Sequence, residues 1–175
     1  FGDRSGGSPG MRLQTFCEDS YEFHTLIDPI ATYCYQPMPV QPVIKIIPGK
    51  PDRYLAVAPT IRAIDESFSI KFKGEDKWGN PSDQCDIQLY PHASHSVKNL
   101  PDMISLKPGE FFGVIEGLSV ADVADLHIDF LDDAGAVMCR TNPIRIEPAP
   151  LSRHFWGDLH GQSEETIGTG SAEAY

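Results

Sequence analysis

The sequence predicts a mainly β protein that begins with an antiparallel β-sandwich. Fifteen prolines and fifteen glycines among 175 residues count against a helical bundle and favour short strands joined by turns. Apolar and polar residues also alternate in segments 68–73, 85–90 and 125–131, which is typical of half-buried antiparallel strands. We expect their apolar sides to form one core, made of Phe68, Ile70, Phe72, Ile87, Leu89, Leu126, Ile128 and Phe130.

Shorter segments complete the set of strand candidates, of which we expect about eight to form. Seven prolines between residues 29 and 59 limit that stretch to short edge strands, because each proline lacks a backbone donor. Asp132 to Gly135 has the composition of a hairpin turn, and residues 119–125 are predicted to form one helical turn. The remaining strand candidates are residues 11–16, 22–27, 43–47, 54–57, 111–116, 136–140 and 144–147.

Composition excludes two classes of partner. The formal net charge of −11 would repel nucleic acid and anionic membranes. The apolar runs are only a few residues long, so we expect no membrane-spanning helix. Four scattered cysteines without a CxxC pair favour reduced, mostly buried thiols in a soluble, cytoplasmic protein. One or two disulfides in an exported protein are the alternative.

A domain boundary is predicted near residue 149. Pro148-Ala149-Pro150 is a stiff linker, and the residues after it are richer in aromatic and histidine side chains. We assign residues 1–148 to the sandwich and residues 149–175 to the linker and the start of a second domain. Residue 1 is Phe, and the last residues have the composition of a helix that is just beginning, so we expect the chain to be a piece of a longer protein.

The densest group of metal-ligand residue types lies after this boundary. Asp158, His160 and Gln162 alternate, and alternate side chains of a strand point to the same face. An imidazole, a carboxylate and an amide oxygen there would suit a divalent metal. The alternative is a structural histidine that is hydrogen-bonded to a carboxylate at a strand end.

The segment Trp156-Gly157-Asp158-Leu159-His160 and the following Gly-Gln-Ser-Glu-Glu resemble the first motif of the PHP superfamily of metallohydrolases. They are most similar to a group of uncharacterised PHP-like proteins in which Gly-Asp-Leu-His follows an N-terminal β-sandwich. Upstream stretches also resemble that group's leading domain, namely residues 2–10, 43–49, 76–81 and 142–144. The resemblance covers most of the chain, although only about the last twenty residues would belong to the catalytic domain.

The resemblance implies a distorted barrel of alternating strands and helices that holds two or three divalent metals, usually manganese, zinc or iron. Such domains hydrolyse phosphoesters with a metal-bound hydroxide, because a bound divalent metal lowers the pKa of its water to about 7. His160 matches the first histidine of the family's His-x-His motif, and Asp158 matches the acidic residue that often precedes it. Gln162 replaces the second histidine, a departure that would weaken one ligand, remove one metal or alter the chemistry.

The predicted function is therefore the N-terminal part of a metal-dependent hydrolase that is incomplete by itself. Its expected partner is the remainder of the barrel, in the same chain or in a second one, and a homo-oligomer remains open. The alternative function is a non-catalytic β-sandwich module that binds a partner or a carbohydrate.

Other candidate sites have a weaker pattern. His92 and His95 follow Pro91 and are predicted to be solvated loop residues. Trp78 either presents its ring to a sugar or caps the core, and the second interpretation is favoured. Asp129, Asp132 and Asp133 lack the spacing of a calcium-binding loop and are predicted to be solvated.

Overall fold

The computed structural model describes residues 3–150, which form strands and turns and contain no helix. This confirms the mainly β prediction. The strands are β1 (Glu18–Glu22), β2 (Leu26–Ile27), β3 (Gln36–Pro37), β4 (Val43–Ile46), β5 (Arg53–Val57), β6 (Ile61–Ala63), β7 (Phe68–Glu75), β8 (Ile87–Ala93), β9 (Ile104–Leu106), β10 (Gly113–Leu118), β11 (Ala124–Leu126), β12 (Ile128–Leu131), β13 (Val137–Arg140) and β14 (Ile144–Glu147).

Three sheets enclose the core. Their strand orders are β10-β7-β5, β11-β14-β6 and β13-β12-β8-β9, and two-stranded sheets β1-β4 and β2-β3 lie in the N-terminal part. The pairing is antiparallel except between β14 and β6, which run parallel. Rings of Phe72 in β7 and Phe130 in β12 stack with centroids 6.1 Å apart, so two of the sheets meet through aromatic side chains.

The alternation seen in the sequence specifies which side chains are buried. In β7, Phe68, Ile70 and Phe72 are buried, whereas Lys71 is exposed. Leu89 is also buried, as are Leu126 of β11 and Ile128 and Phe130 of β12. Ile87 is half-buried against the same cluster. The predicted core is therefore confirmed. Because burying each large apolar side chain contributes roughly 1.5–3 kcal/mol, this core is the main source of stability.

The predicted hairpin between β12 and β13 is also confirmed. The Asp132 N–H donates to the Ala136 carbonyl over 2.9 Å, and the Asp132 carboxylate accepts the N–H groups of Ala134 and Ala136 at 3.0 and 2.8 Å. Gly135 has a φ of 81°, which a residue with a Cβ adopts only with strain. The Asp and Gly at these positions therefore make the turn.

Several predicted boundaries are wrong. Residues 11–16 do not form a strand, and the Thr15 carbonyl accepts a hydrogen bond from the Asn80 side chain. Residues 22–27 do not form one strand, since β1 ends at Glu22 and β2 covers only Leu26–Ile27. The helical turn at 119–125 is absent, and β11 occupies its end.

The strand β8 extends further than the sequence predicts, to Ala93. It therefore contains Pro91 and His92, which were expected in a loop. β9 pairs with β8 only as far as Leu89, while Pro91 lies opposite Phe130 of β12. Proline is tolerated here because one side of this part of β8 has no strand that needs its missing N–H.

The cysteines are free thiols, as predicted. Cys85 and Cys139 are buried, but Cys17 is partly exposed and Cys34 is exposed, so only half of the set fits the expected burial. No helix of the described residues is long and apolar enough to cross a membrane.

The predicted domain boundary lies at the end of the described region. β14 ends at Glu147, just before the proposed Pro148–Pro150 linker. The start of the predicted barrel, including its first strand, lies outside residues 3–150. The second domain therefore stays a prediction.

Candidate functional site

The predicted metal ligands Asp158, His160 and Gln162 lie outside the described residues. Their convergence at a strand end stays a prediction. Within residues 3–150, no group of three or more His, Cys, Asp or Glu residues is placed to hold a metal ion. The site that the structure does describe is of another kind, an apolar groove.

The groove lies on the outer face of the β10-β7-β5 sheet and has a volume of about 810 Å³. We call it the apolar groove. This is within the usual range of ligand pockets, about 300–1,000 Å³. It is lined by Cys17, Glu18, Asp19, Lys45, Ile46, Pro48, Leu55, Val57, Lys71, Phe72, Lys73, Pro81, Phe111 and Phe112.

Strand register produces the floor of the apolar groove. Val57 lies opposite Lys71, and Leu55 lies opposite Lys73. Because Ala56 between them points into the core, Leu55 and Val57 must point outward. The outer face of β5 is thus aliphatic, and the neighbouring face of β7 carries lysine stems that extend the apolar surface.

Two phenylalanines form one side of the apolar groove. Phe111 and Phe112 precede β10 and are 46% and 61% exposed. The sequence predicted a strand from residue 111, but β10 begins only at Gly113, which lies opposite Phe72. A Cβ at Gly113 would collide with the Phe72 ring, so glycine is required where the strand crosses that ring.

The charges in the apolar groove are unequally paired. Lys45 binds the Asp19 carboxylate with 2.7 Å between Nζ and oxygen, and Lys73 binds Glu75 at the same distance. Lys71 forms no ion pair with any residue from 3 to 150. Its ammonium is therefore free to meet an acidic group of whatever occupies the groove.

The N-terminal side of the apolar groove is fixed by a buried carboxylate. The Asp76 carboxylate accepts N–H groups of Gly49, Trp78 and Asn80 at 3.1, 2.8 and 3.0 Å. The Asn80 side chain in turn accepts the Cys17 N–H at 2.9 Å. This network attaches the segment before β1 to the turn that follows β7.

The network also determines the ionisation of Asp76. Burial alone would raise its pKa, but hydrogen bonds from Asn80, Gly49 and Trp78 stabilise the charged form and lower the pKa to about 2. Asp76 is thus a charged structural residue at neutral pH. All its acceptor positions point to groups of the chain itself, so it is not available as a catalytic base.

Trp78 does not cap the core, since it is half exposed. It borders a second cavity of about 410 Å³. The Lys77 ammonium lies 4.9 Å and the Arg12 guanidinium 5.6 Å from its ring centroid, in the range of cation–π contacts. The favoured interpretation as a core cap is therefore wrong, whereas the sugar-binding interpretation stays a prediction.

The remaining candidates have structural explanations. Arg140 binds both Asp129 oxygens at 2.5 and 2.9 Å, and the hydrogen bond from Arg140 lowers the pKa of Asp129. Asp132 is occupied by the hairpin turn. His92 and His95 are exposed, as predicted, although His92 lies in a strand.

The groove itself was not predicted from the sequence. One feature of the sequence agrees with the groove. The exposed positions of β5 are Leu55 and Val57, whereas a strand face in contact with water usually carries polar residues. A scan against protein-family models and a search of curated proteins both found no match for the chain. A functional proposal for the chain therefore depends on the residues of the chain itself.

Proposed function

We propose that the chain is the N-terminal part of a PHP-like metal-dependent hydrolase that acts on phosphoesters. The observation that carries this proposal is the Gly157-Asp158-Leu159-His160 motif, placed ten residues after the last strand of a β-sandwich that ends at Glu147. In this proposal residues 1–148 are an accessory domain and residues 149–175 lead into the catalytic barrel.

The chemistry of the donor set supports a divalent metal such as manganese, zinc or iron. His160 would bind through a neutral ring nitrogen, and Asp158 through a carboxylate oxygen or by orienting the imidazole. Gln162 would add an amide oxygen, a weaker ligand than the family's histidine. The metal would supply Lewis-acid activation of water and of the phosphoryl oxygens. Because three such groups do not complete this centre, the proposal requires further ligands from the barrel, in the same chain or in a second one.

The test is a pair of substitutions in the full-length protein. His160→Ala should lower the metal content measured by mass spectrometry and reduce hydrolysis of an aryl phosphate at least tenfold. Gln162→His should tighten manganese or zinc binding, because it restores the His-x-His pattern. His24→Ala is the matched control, since the His24 side chain is 86% exposed and lies in another part of the chain. Unchanged metal content in His160→Ala would refute the assignment.

The 175-residue chain alone provides a further check. One imidazole and one carboxylate supply too few ligands for a tight site. Calorimetric titration with manganese or zinc should therefore give no stoichiometric site tighter than about 1 μM, roughly −8 kcal/mol. A tighter site would show that the ligands are already complete.

The second candidate function is a non-catalytic module that binds a partner. The apolar groove favours it, because an exposed apolar surface of this kind marks interaction sites in folded proteins. In that case His160→Ala would leave metal content and hydrolysis unchanged, whereas a charge placed at Val57 would abolish binding to the partner.

A further inference from the structure

The apolar groove is a sheet face that is only partly covered within residues 3–150, because the β1-β4 sheet borders it on one side. Leu55 and Val57 are 37% and 61% exposed, and Phe112 is 61% exposed. These side chains lie close together around the Lys71 stem. Contiguous apolar side chains on one face favour an occupant that removes them from water.

We propose that the segment from Leu151 to Trp156 of the same chain docks into the apolar groove. This segment contains three large apolar residues, Leu151, Phe155 and Trp156. Phe155 and Trp156 are adjacent to each other and precede the proposed metal motif. The groove thus receives the linker, whether or not the following residues belong to a hydrolase.

The chain is long enough to reach the groove. Glu147 pairs with Ala63, and paired strands lie about 5 Å apart. Ala63 is six residues from Val57, which is at most about 22 Å. Glu147 is therefore within about 27 Å of Val57. Trp156 follows nine residues later and reaches about 30 Å when extended, which is enough to span the straight-line distance to Val57.

Charge also favours this occupant over a second copy of the described surface. The groove lining contains three lysines and two acidic residues, and Lys71 has no ion-pair partner among the described residues. The side chains of residues 151–175 carry a net charge of −3, from one arginine and four acidic residues.

Tryptophan fluorescence tests the proposal. The chain has two tryptophans, so Trp78→Phe leaves Trp156 as the single emitter. We expect its emission to be blue-shifted relative to the urea-unfolded chain and its quenching by acrylamide to be reduced. Val57→Asp in the same background should shift the emission to the red and increase quenching. Val123→Asp is the matched control, because Val123 is 62% exposed and lies outside the groove.

Each other occupant gives a result that overturns the proposal. Emission at the unfolded wavelength would mean that Trp156 stays in water. Blue-shifted emission that Val57→Asp does not alter would place Trp156 on a different surface. Quenching that changes with protein concentration would indicate that a second copy fills the groove. Far-ultraviolet circular dichroism checks that each variant keeps its strands.

A cross-linking experiment provides an independent readout. A zero-length carbodiimide should join Lys71 to Glu164 or Glu165, and mass spectrometry should find that pair within the monomer. Lys71→Gln should remove the product, and Lys107→Gln should not, because Lys107 lies outside the apolar groove. Absence of the Lys71 product in the folded monomer would contradict the docking. Neither readout depends on metal or hydrolysis, so this inference and the proposed function fail separately.

Discussion

Substitution of Asp76 by asparagine should remove a specific, pH-dependent part of the stability. The pKa of Asp76 falls from 3.8 to about 2 in the folded chain, and each pKa unit is worth about 1.4 kcal/mol. Ionised Asp76 therefore stabilises the fold by about 2 kcal/mol. An asparagine cannot replace this effect. One of the two carboxylate oxygens would become an NH₂ group, which cannot accept the hydrogen bond that the N–H of Gly49 or of Asn80 now donates.

The sign of the pH dependence follows from the lowered pKa. The stabilisation is complete above about pH 5, where Asp76 is ionised in both states, and it is lost as the pH falls through about 2. Asp76→Asn should thus be less stable than the wild type by about 2 kcal/mol at pH 7. The difference should shrink steadily between pH 4 and pH 2.

Urea unfolding followed by circular dichroism at pH 7, 4 and 2.5 measures this difference. Other carboxylates titrate in the same range, but they contribute equally to both proteins and cancel. The exposed Asp86 provides a matched control, and Asp86→Asn should change the stability by less than about 0.5 kcal/mol. A wild type and Asp76→Asn pair whose stabilities agree at pH 7, or differ by the same amount at every pH, would refute the reasoning.

Two further predictions concern packing. Gly113→Ala should destabilise the chain by about 1–3 kcal/mol, because the new Cβ displaces the Phe72 ring. Gly6→Ala should change the stability little, since no atom lies within 4 Å of the added Cβ. Equal melting temperatures of the two variants would contradict this prediction. In the native chain, iodoacetamide should alkylate the exposed Cys34 but not the buried Cys139, whose thiol pKa is raised to about 11 by burial. Comparable labelling of both cysteines without denaturant would show that the described core is wrong.

The fold class and most of the core could be predicted because burial in a strand has a local signature. Phe68, Ile70 and Phe72 alternate with polar residues, and a period of two is enough to assign one side to the core. The Asp132–Gly135 turn is equally local, since its hydrogen bonds join residues at most four apart. These elements needed no knowledge of the rest of the chain.

The candidate site depends more on contacts between distant residues. Alternation places Leu55 and Val57 on the same side of β5, but their exposure and their contact with Lys71 and the phenylalanines before β10 follow from strand pairing. The hydrogen bond from Gly49 to Asp76 spans 27 residues, and that from Cys17 to Asn80 spans 63. No local periodicity indicates such contacts.

The sequence by itself determined that the chain is built of short strands and which side of the central strands is buried. The tertiary structure decided that β6 and β14 pair in parallel, that Pro91 lies within a strand, and that an apolar groove forms on the outer face of one sheet. The physical reason is that side-chain alternation is encoded within a few residues. Strand partners, in contrast, are selected by the packing of segments far apart in the chain.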